Sequence, residues 1–246
     1  YYPSLRAQER LILIGGGPGR PKAALQQFSE WANQERGTIL IITWASKIPA
    51  EVATDIIDDF SEHFRGQFLI SMTAPQSITE QYDFVRNLQQ ATGVFFSGGD
   101  QSLIMDTFHI PGGSMVQRAL VEAYHNGIVF GGTSAGTAIM SRNMITGSIQ
   151  DDGQVPIGIG LGFLPPHVIV DQHFSQRDRE ARLLRAKTQS GTKIAIGIDE
   201  DTAIIVRNKS EIRVDGDHSV RIYRELGNIY TEKKLKAGDT WTIPYN

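Results

Sequence analysis

The segment of this chain best suited to chemistry is Gly132-Thr133-Ser134-Ala135-Gly136. It follows the apolar run Ile128-Val129-Phe130 and precedes Thr137-Ala138-Ile139-Met140, which can open a helix. A G-x-S-x-G pentapeptide between strand and helix is a nucleophile elbow, whose small flanking residues allow a strained turn that lifts the serine hydroxyl out of the sheet. The N–H of Ala135 would then face the oxygen on which negative charge develops. Taken alone, the same five residues can be a tight turn that merely joins the two elements.

A serine nucleophile needs a base, and the base needs an orienting acid. Among the six histidines, His63, His109, His125 and His218 lie in helical or turn-like polar stretches and read as surface residues. His167 follows Pro165-Pro166 and opens an apolar run, which suits a structural place. His173 lies in Asp171-Gln172-His173-Phe174, just past Val168-Ile169-Val170, at the expected C-terminal edge of a strand. Active sites of open α/β sheets gather at that edge. Gly197-Ile198-Asp199-Glu200-Asp201 closes another apolar run with three carboxylates, and residue types alone do not choose among them.

Three further stretches invite a functional or a plain reading. Gly98-Gly99-Asp100-Gln101 ends an apolar run, and its glycines can supply a second oxyanion donor or simply turn the chain into a helix. Gly15-Gly16-Gly17-Pro18-Gly19 suggests a phosphate loop but fits neither the dinucleotide fingerprint nor the P-loop, so no nucleotide is expected there. In Ser175-Gln176-Arg177-Asp178-Arg179-Glu180-Ala181-Arg182, the Ser175–Asp178 spacing predicts a capping box and a helix starting at that point. Arg179 and Arg182 then share one face, either solvated with an Asp178–Arg182 pair or forming a cationic cluster for substrate carboxylates.

The elements that must hold these residues follow from apolar periodicity. Strands are expected at 11–14, 39–43, 68–71, 94–96 and 128–130, and helices at 21–36, 50–63, 78–90 and 113–125. Short buried strands alternating with helices imply a parallel sheet covered on both faces. After about residue 190 the pattern changes to short strands at 194–198, 202–206, 212–214 and 220–223, with polar turns at 208–210 and 215–217. These are expected to be hairpins that extend the same domain, giving one domain over residues 1–246. The 246 residues can bury a sizeable core, and 40% hydrophobic with 21% charged residues is ordinary for a globular protein. A net charge of −3 from 24 basic and 27 acidic residues lacks the basic footprint of a nucleic-acid binder. No apolar run is long enough to cross a bilayer, so no membrane association is expected. The absence of cysteine excludes disulfides, thiolate metal sites and a cysteine nucleophile, and suits either an oxidising or a reducing compartment. A first residue of Tyr1 rather than Met leads to the expectation that the native start is missing.

Taken together, Ser97-Gly98-Gly99-Asp100-Gln101, the Ser134 pentapeptide, Asp171-Gln172-His173-Phe174 with Arg177, Arg179 and Arg182, and Gly197 to Ala203 resemble the cyanophycinase family of serine peptidases, related to aspartyl dipeptidases such as peptidase E. The resemblance spans roughly residues 11–206. It implies Ser134 as nucleophile, His173 as general base and Glu200, in preference to its Asp neighbours, as orienting acid. Gly98, Gly99 and Ala135 would serve the oxyanion. It further implies that Gln101, Asp171, Gln172, Arg177, Arg179 and Arg182 line the substrate pocket. The implied fold is a flavodoxin-like α/β three-layer sandwich with a mostly parallel sheet and a C-terminal β-hairpin extension, in a homodimer without metal or cofactor. The implied substrate is cyanophycin, a poly-aspartate with arginine on each side-chain carboxyl, cleaved to β-Asp-Arg dipeptides. An isoaspartyl or aspartyl dipeptidase with the same triad, and a non-catalytic binder of acidic peptides, are the alternatives. One departure stands out: the family's Gly-Gly-Ala-Glu-Asp after the first strand is here Gly15-Gly16-Gly17-Pro18-Gly19-Arg20-Pro21, and Trp44 follows the second strand. Either loop, if it shapes the pocket, would alter the substrate.

Overall fold

The computed structural model describes residues 8–226 and 229–245, so the ends of the expected 1–246 domain and residues 227–228 lie outside the described residues. Five strands run parallel in the order β1 (Arg10–Ile14), β5 (Val129–Thr133), β4 (Gly93–Phe96), β2 (Thr38–Ile42), β3 (Gln67–Ser71). The connecting helices are α1 (Lys22–Trp31), α2 (Pro49–Ser61), α3 (Ile78–Leu88), and α4 (Gln101–Asp106) with α5 (Gly113–His125). The strands are apolar at almost every position because both faces are covered. Ile12, Ile14, Ile39 and Ile41 meet Leu25, Phe28, Ile56 and Phe60 of α1 and α2. The alternate residues Leu11, Leu13, Leu40 and Ile42 meet Phe84, Leu88, Val116 and Leu120 of α3 and α5. This period-two division into two cores is the side-chain alternation of a strand. The mixed α/β class with a large, mostly parallel sheet agrees with the sequence.

Past β5 come the single-turn α6 (Ala135–Ala138) and a small antiparallel pair, β6 (Asn143–Ile145) with β7 (Ile157–Ile159). The next elements are β8 (Val168–Asp171), α7 (Glu180–Ser190), β9 (Ile194–Ile198), β10 (Thr202–Arg207), β11 (Glu211–Gly216), β12 (Val220–Leu226), β13 (Ile229–Leu235) and β14 (Thr240–Thr242). The hairpins after residue 190 do not all extend one sheet. β10, β11 and β14 continue the main sheet antiparallel from β1, whereas β13-β12-β9-β8 form a second sheet. The chain therefore crosses between sheets at 199–201, at 217–219 and again at 236–239. The turn at 208–210 does close a hairpin, with Asn208 and Lys209 at φ 50° and 58°. Asp215-Gly216-Asp217 does not: Asp217 N–H donates to Asp201 O (2.9 Å) and His218 N–H to Thr202 Oγ1 (3.0 Å), stitching one crossover to the other.

The helix expected from Ser175 begins only at Glu180. Ser175 N–H is bound by the Asp199 carboxylate (2.9 Å), and Asp178 takes φ 48°, which no right-handed helical turn accommodates. The Ser175–Asp178 capping box and the Asp178–Arg182 pair are therefore absent, and residues 175–179 form an irregular turn beside the strand edge.

Candidate active site

Ser134 sits between β5 and α6 at φ 52°, ψ −110°, a conformation that costs a non-glycine residue about 1–3 kcal/mol. The flanking glycines are needed sterically. A Cβ on Gly132 would meet the Gly136 backbone at 2.5 Å, and one on Gly136 would meet Phe96 O at 2.4 Å. Ser134 N–H donates to Ile14 O (3.1 Å), which ties the elbow to the end of β1.

His173 follows β8 in the second sheet, also with positive φ, 47°. Its N–H donates to Gly15 O (2.7 Å). Its Nε2 lies 2.8 Å from Ser134 Oγ and its Nδ1 2.5 Å from Glu200 Oε1. With the proton on Nδ1, the ring donates to Glu200 and accepts from Ser134, the tautomer a general base requires. Burial pushes the His173 pKa down, and the cations of Arg177 and Arg179 add to this, while the hydrogen bond to Glu200 opposes it; the net shift favours the neutral imidazole.

The three carboxylates that the sequence left open have different partners. Asp199 is buried and accepts from Ser175 N, Ser219 N and Ser219 Oγ at 2.9, 3.1 and 2.7 Å. Burial alone would raise its pKa, but the bonds from Ser175 and Ser219 hold it below the ordinary value. Asp201 Oδ1 accepts from Gly19 N (2.7 Å). Glu200 alone of the three reaches His173, and its own N–H donates to Gln176 Oε1 (2.9 Å).

The Gly15-Gly16-Gly17 loop is the bed on which these residues lie. A Cβ on Gly16 (φ 96°) would stand 2.3 Å from His173 Cε1. The sequence did not link this loop to the histidine, although both were placed at strand ends on one edge. Trp44, expected to alter the pocket, is instead a core residue: it is 5% exposed, packs on Phe84 and donates from Nε1 to Ser71 Oγ (2.9 Å).

The oxyanion candidates lie close by. A Cβ added to Gly98 would be 3.3 Å from Ser134 Cβ, and the N–H groups of Gly98, Gly99 and Ala135 find no acceptor among the described residues. The pocket residues fall into two groups. Arg179 donates from one nitrogen to Gln172 O (2.8 Å) and Gln172 Oε1 (3.0 Å), and Gln172 Oε1 is 3.5 Å from Ser134 Oγ. Burial, assisted by Arg182, lowers the Arg179 pKa to about 10, which marks a desolvated cation close to Gln172 and Ser134. Arg177 is exposed and forms no ion pair among the described residues. Arg182 is different. It is 8% exposed, donates from Nε and a terminal nitrogen to both Asp171 oxygens (2.9 and 2.5 Å), and reaches Gly147 O (3.2 Å). Asp171 and Arg182, both expected to line the substrate pocket, form a buried bidentate pair, with Arg179 also 3.6 Å from Asp171. Gln101 is likewise occupied, donating to Ile145 O (2.7 Å).

Among the described residues no cluster of three or more His, Asp or Glu could hold a metal ion, and no helix is long and apolar enough to cross a membrane.

Comparison with known proteins places this arrangement in context. Residues 11–214 match the model of peptidase family S51. The chain is 32% identical over 240 residues to a cyanophycinase of Geminocystis herdmanii, covering 93% of this chain and 86% of the relative. It is 31% identical over 230 residues to one of Synechococcus elongatus, covering 90% and 70%. Among solved structures, a peptidase from an acI-B1 actinobacterium superposes with a TM-score of 0.71 at 22% identity over 97% of both chains. A putative peptidase E from Listeria monocytogenes gives 0.60 at 14% identity, over 94% of this chain and 100% of the other.

Proposed function

We propose that this chain, which belongs to peptidase family S51 and is a serine peptidase, hydrolyses cyanophycin and releases β-Asp-Arg dipeptides. The observation that carries the proposal is the unbroken relay from Glu200 through His173 to Ser134 at 2.5 and 2.8 Å. In this reading Ser134 Oγ attacks the carbonyl between two aspartates as His173 Nε2 takes its proton. Glu200 stabilises the imidazolium. The tetrahedral oxyanion is met by N–H groups from Ala135 and the Gly98-Gly99 turn, each worth about 3 kcal/mol. His173 then gives its proton to the leaving amine, and water repeats the sequence on the acyl-enzyme.

Substrate class is supported by cations beside the serine. Each cyanophycin unit carries the free α-carboxylate of its arginine, and in this reading Arg177 and Arg179 receive it. The alternate reading as an isoaspartyl dipeptidase would need pocket contacts to a single short substrate. We read the architecture as a flavodoxin-like sandwich in one domain, a view supported by helices on both faces of the parallel strands. Incubation with purified cyanophycin, followed by mass analysis of the soluble products, tests the function. β-Asp-Arg should accumulate with the wild-type chain and not with Ser134→Ala. Cleavage of isoaspartyl dipeptides with an untouched polymer would overturn the substrate assignment.

A further inference from the structure

The segments that cross between the sheets line a cleft of about 620 Å³. Its rim includes Gln176, whose side chain holds the Glu200 N–H, so the cleft begins where the relay ends. The opposite wall comes from the β12–β13 hairpin and carries Arg221, Lys234 and Lys236. Lys234 lies on β13 and Lys236 directly follows the strand's last residue, Leu235, both along the wall of the cleft. Neither lysine meets a carboxylate at ion-pair distance among the described residues. Lys234 also stands directly across the ladder from Arg221. Arg221 is matched by Glu232 (3.2 Å) and Glu180 (3.6 Å), which leaves Lys234 and Lys236 as the wall's unpaired cations among the described residues. Gly216 and Asp217 form the edge that this cleft shares with a second hollow of about 440 Å³. Asp201 and Asp215 in that hollow are bound to the N–H groups of Gly19 and Ala24, but Asp217 is exposed and in no ion pair among the described residues.

Two unpaired lysines and an unpaired acid on one cleft, whose rim residue Gln176 also holds the Glu200 N–H, fit a ligand that bears both charges at short spacing. We infer that this cleft is a binding site for a distal unit of the polymer, with Lys234 and Lys236 taking the arginine α-carboxylate and Asp217 the guanidinium. The inference rests on the cyanophycin reading and adds to it a reason for preferring polymer to short fragments, because a unit bound here lies outside the reach of a two-unit substrate.

The test is steady-state kinetics of the full chain on cyanophycin and on a two-unit β-Asp-Arg fragment, at low salt. The Lys234→Gln/Lys236→Gln double variant should raise KM on the polymer about tenfold, and by clearly less on the fragment. Asp217→Asn should act in the same direction. Lys233→Gln, on the opposite face of β13, controls for net charge, and melting curves control for folding. Selective loss on the polymer, absent in Lys233→Gln, supports the site. Unchanged KM on the polymer, equal loss on both substrates, or the same loss in Lys233→Gln overturns it. A wild-type chain inert on cyanophycin would instead overturn the substrate reading beneath it.

Discussion

Glu200 Oε1 lies 2.5 Å from His173 Nδ1, while the carboxylates on either side of Glu200 are bound to other partners. The three acids should therefore respond differently to loss of charge. Glu200→Gln should lower kcat by about four orders of magnitude with the fold retained. Asp199→Asn should instead cost stability, about 1–3 kcal/mol, because it sits buried against Ser175 and Ser219. Asp201→Asn should be the mildest. Parallel kcat and melting measurements on the three variants check this, and a kcat loss greatest in Asp199→Asn would remove Glu200 from its role.

Ser134 combines an expected chemical role with backbone strain. Ser134→Ala should abolish turnover and leave the melting temperature nearly unchanged. Ser134→Gly should also be inactive but more stable, by about 1 kcal/mol, since glycine relaxes at φ 52°. Residual peptidase activity in either folded variant would contradict the nucleophile assignment.

Gly16→Ala should be inactive out of proportion to its size. The new Cβ would meet the His173 ring at 2.3 Å, and φ 96° is unfavourable for alanine. A displaced imidazole should cost about 100-fold in kcat. The serine itself should remain in place, so full activity in this variant would show that the loop yields and does not position the histidine.

The pH profile follows from the environment of His173. Burial first, then Arg177 and Arg179, lowers its folded pKa below the ordinary histidine value. The base acts when neutral, so the acid limb of kcat/KM should lie below the range of an ordinary histidine, with activity falling as pH drops through that lowered pKa. Removing a nearby cation works in the opposite sense. Arg177→Gln should move the acid limb to higher pH, and a limb that stays put or moves lower would count against Arg177 as a contributor.

The arginines separate by measurement. Arg179→Lys should raise KM on the order of 10- to 100-fold, because a lysine cannot keep the fork that binds a carboxylate. Arg182→Leu should destabilise the fold by about 3–5 kcal/mol by stranding buried Asp171. Equal melting temperatures for Arg182→Leu and wild type would return Arg182 to the substrate pocket.

What could be read in advance depended on whether the deciding partners were local. The elbow around Ser134 was legible because strand, turn and helix are contiguous. The main parallel strands were legible from apolar runs. The identity of the acid was not, since Asp199, Glu200 and Asp201 share one composition and differ only through Ser175, Ser219 and Gly19 elsewhere in the chain. Ser175 and Asp178 had capping-box spacing, but Asp199 claims the donor that the box would need. Trp44 resembled a pocket residue because Phe84 and Ser71, which bury it, are remote in sequence. The division of the last strands between two sheets was hidden as well, because a strand's alternation states which face is buried and not which neighbour it pairs with.

The crossing of the chain between sheets has a consequence during synthesis. Ser134 belongs to the first sheet, His173 to the second, and Glu200 to the segment that passes between them. A ribosome-bound chain that has emerged only through residue 150 carries the serine without a base or an acid. Hydrolytic competence thus arrives late, at the docking of the two sheets, and should depart early: in mild urea, turnover is expected to vanish before far-UV circular dichroism changes.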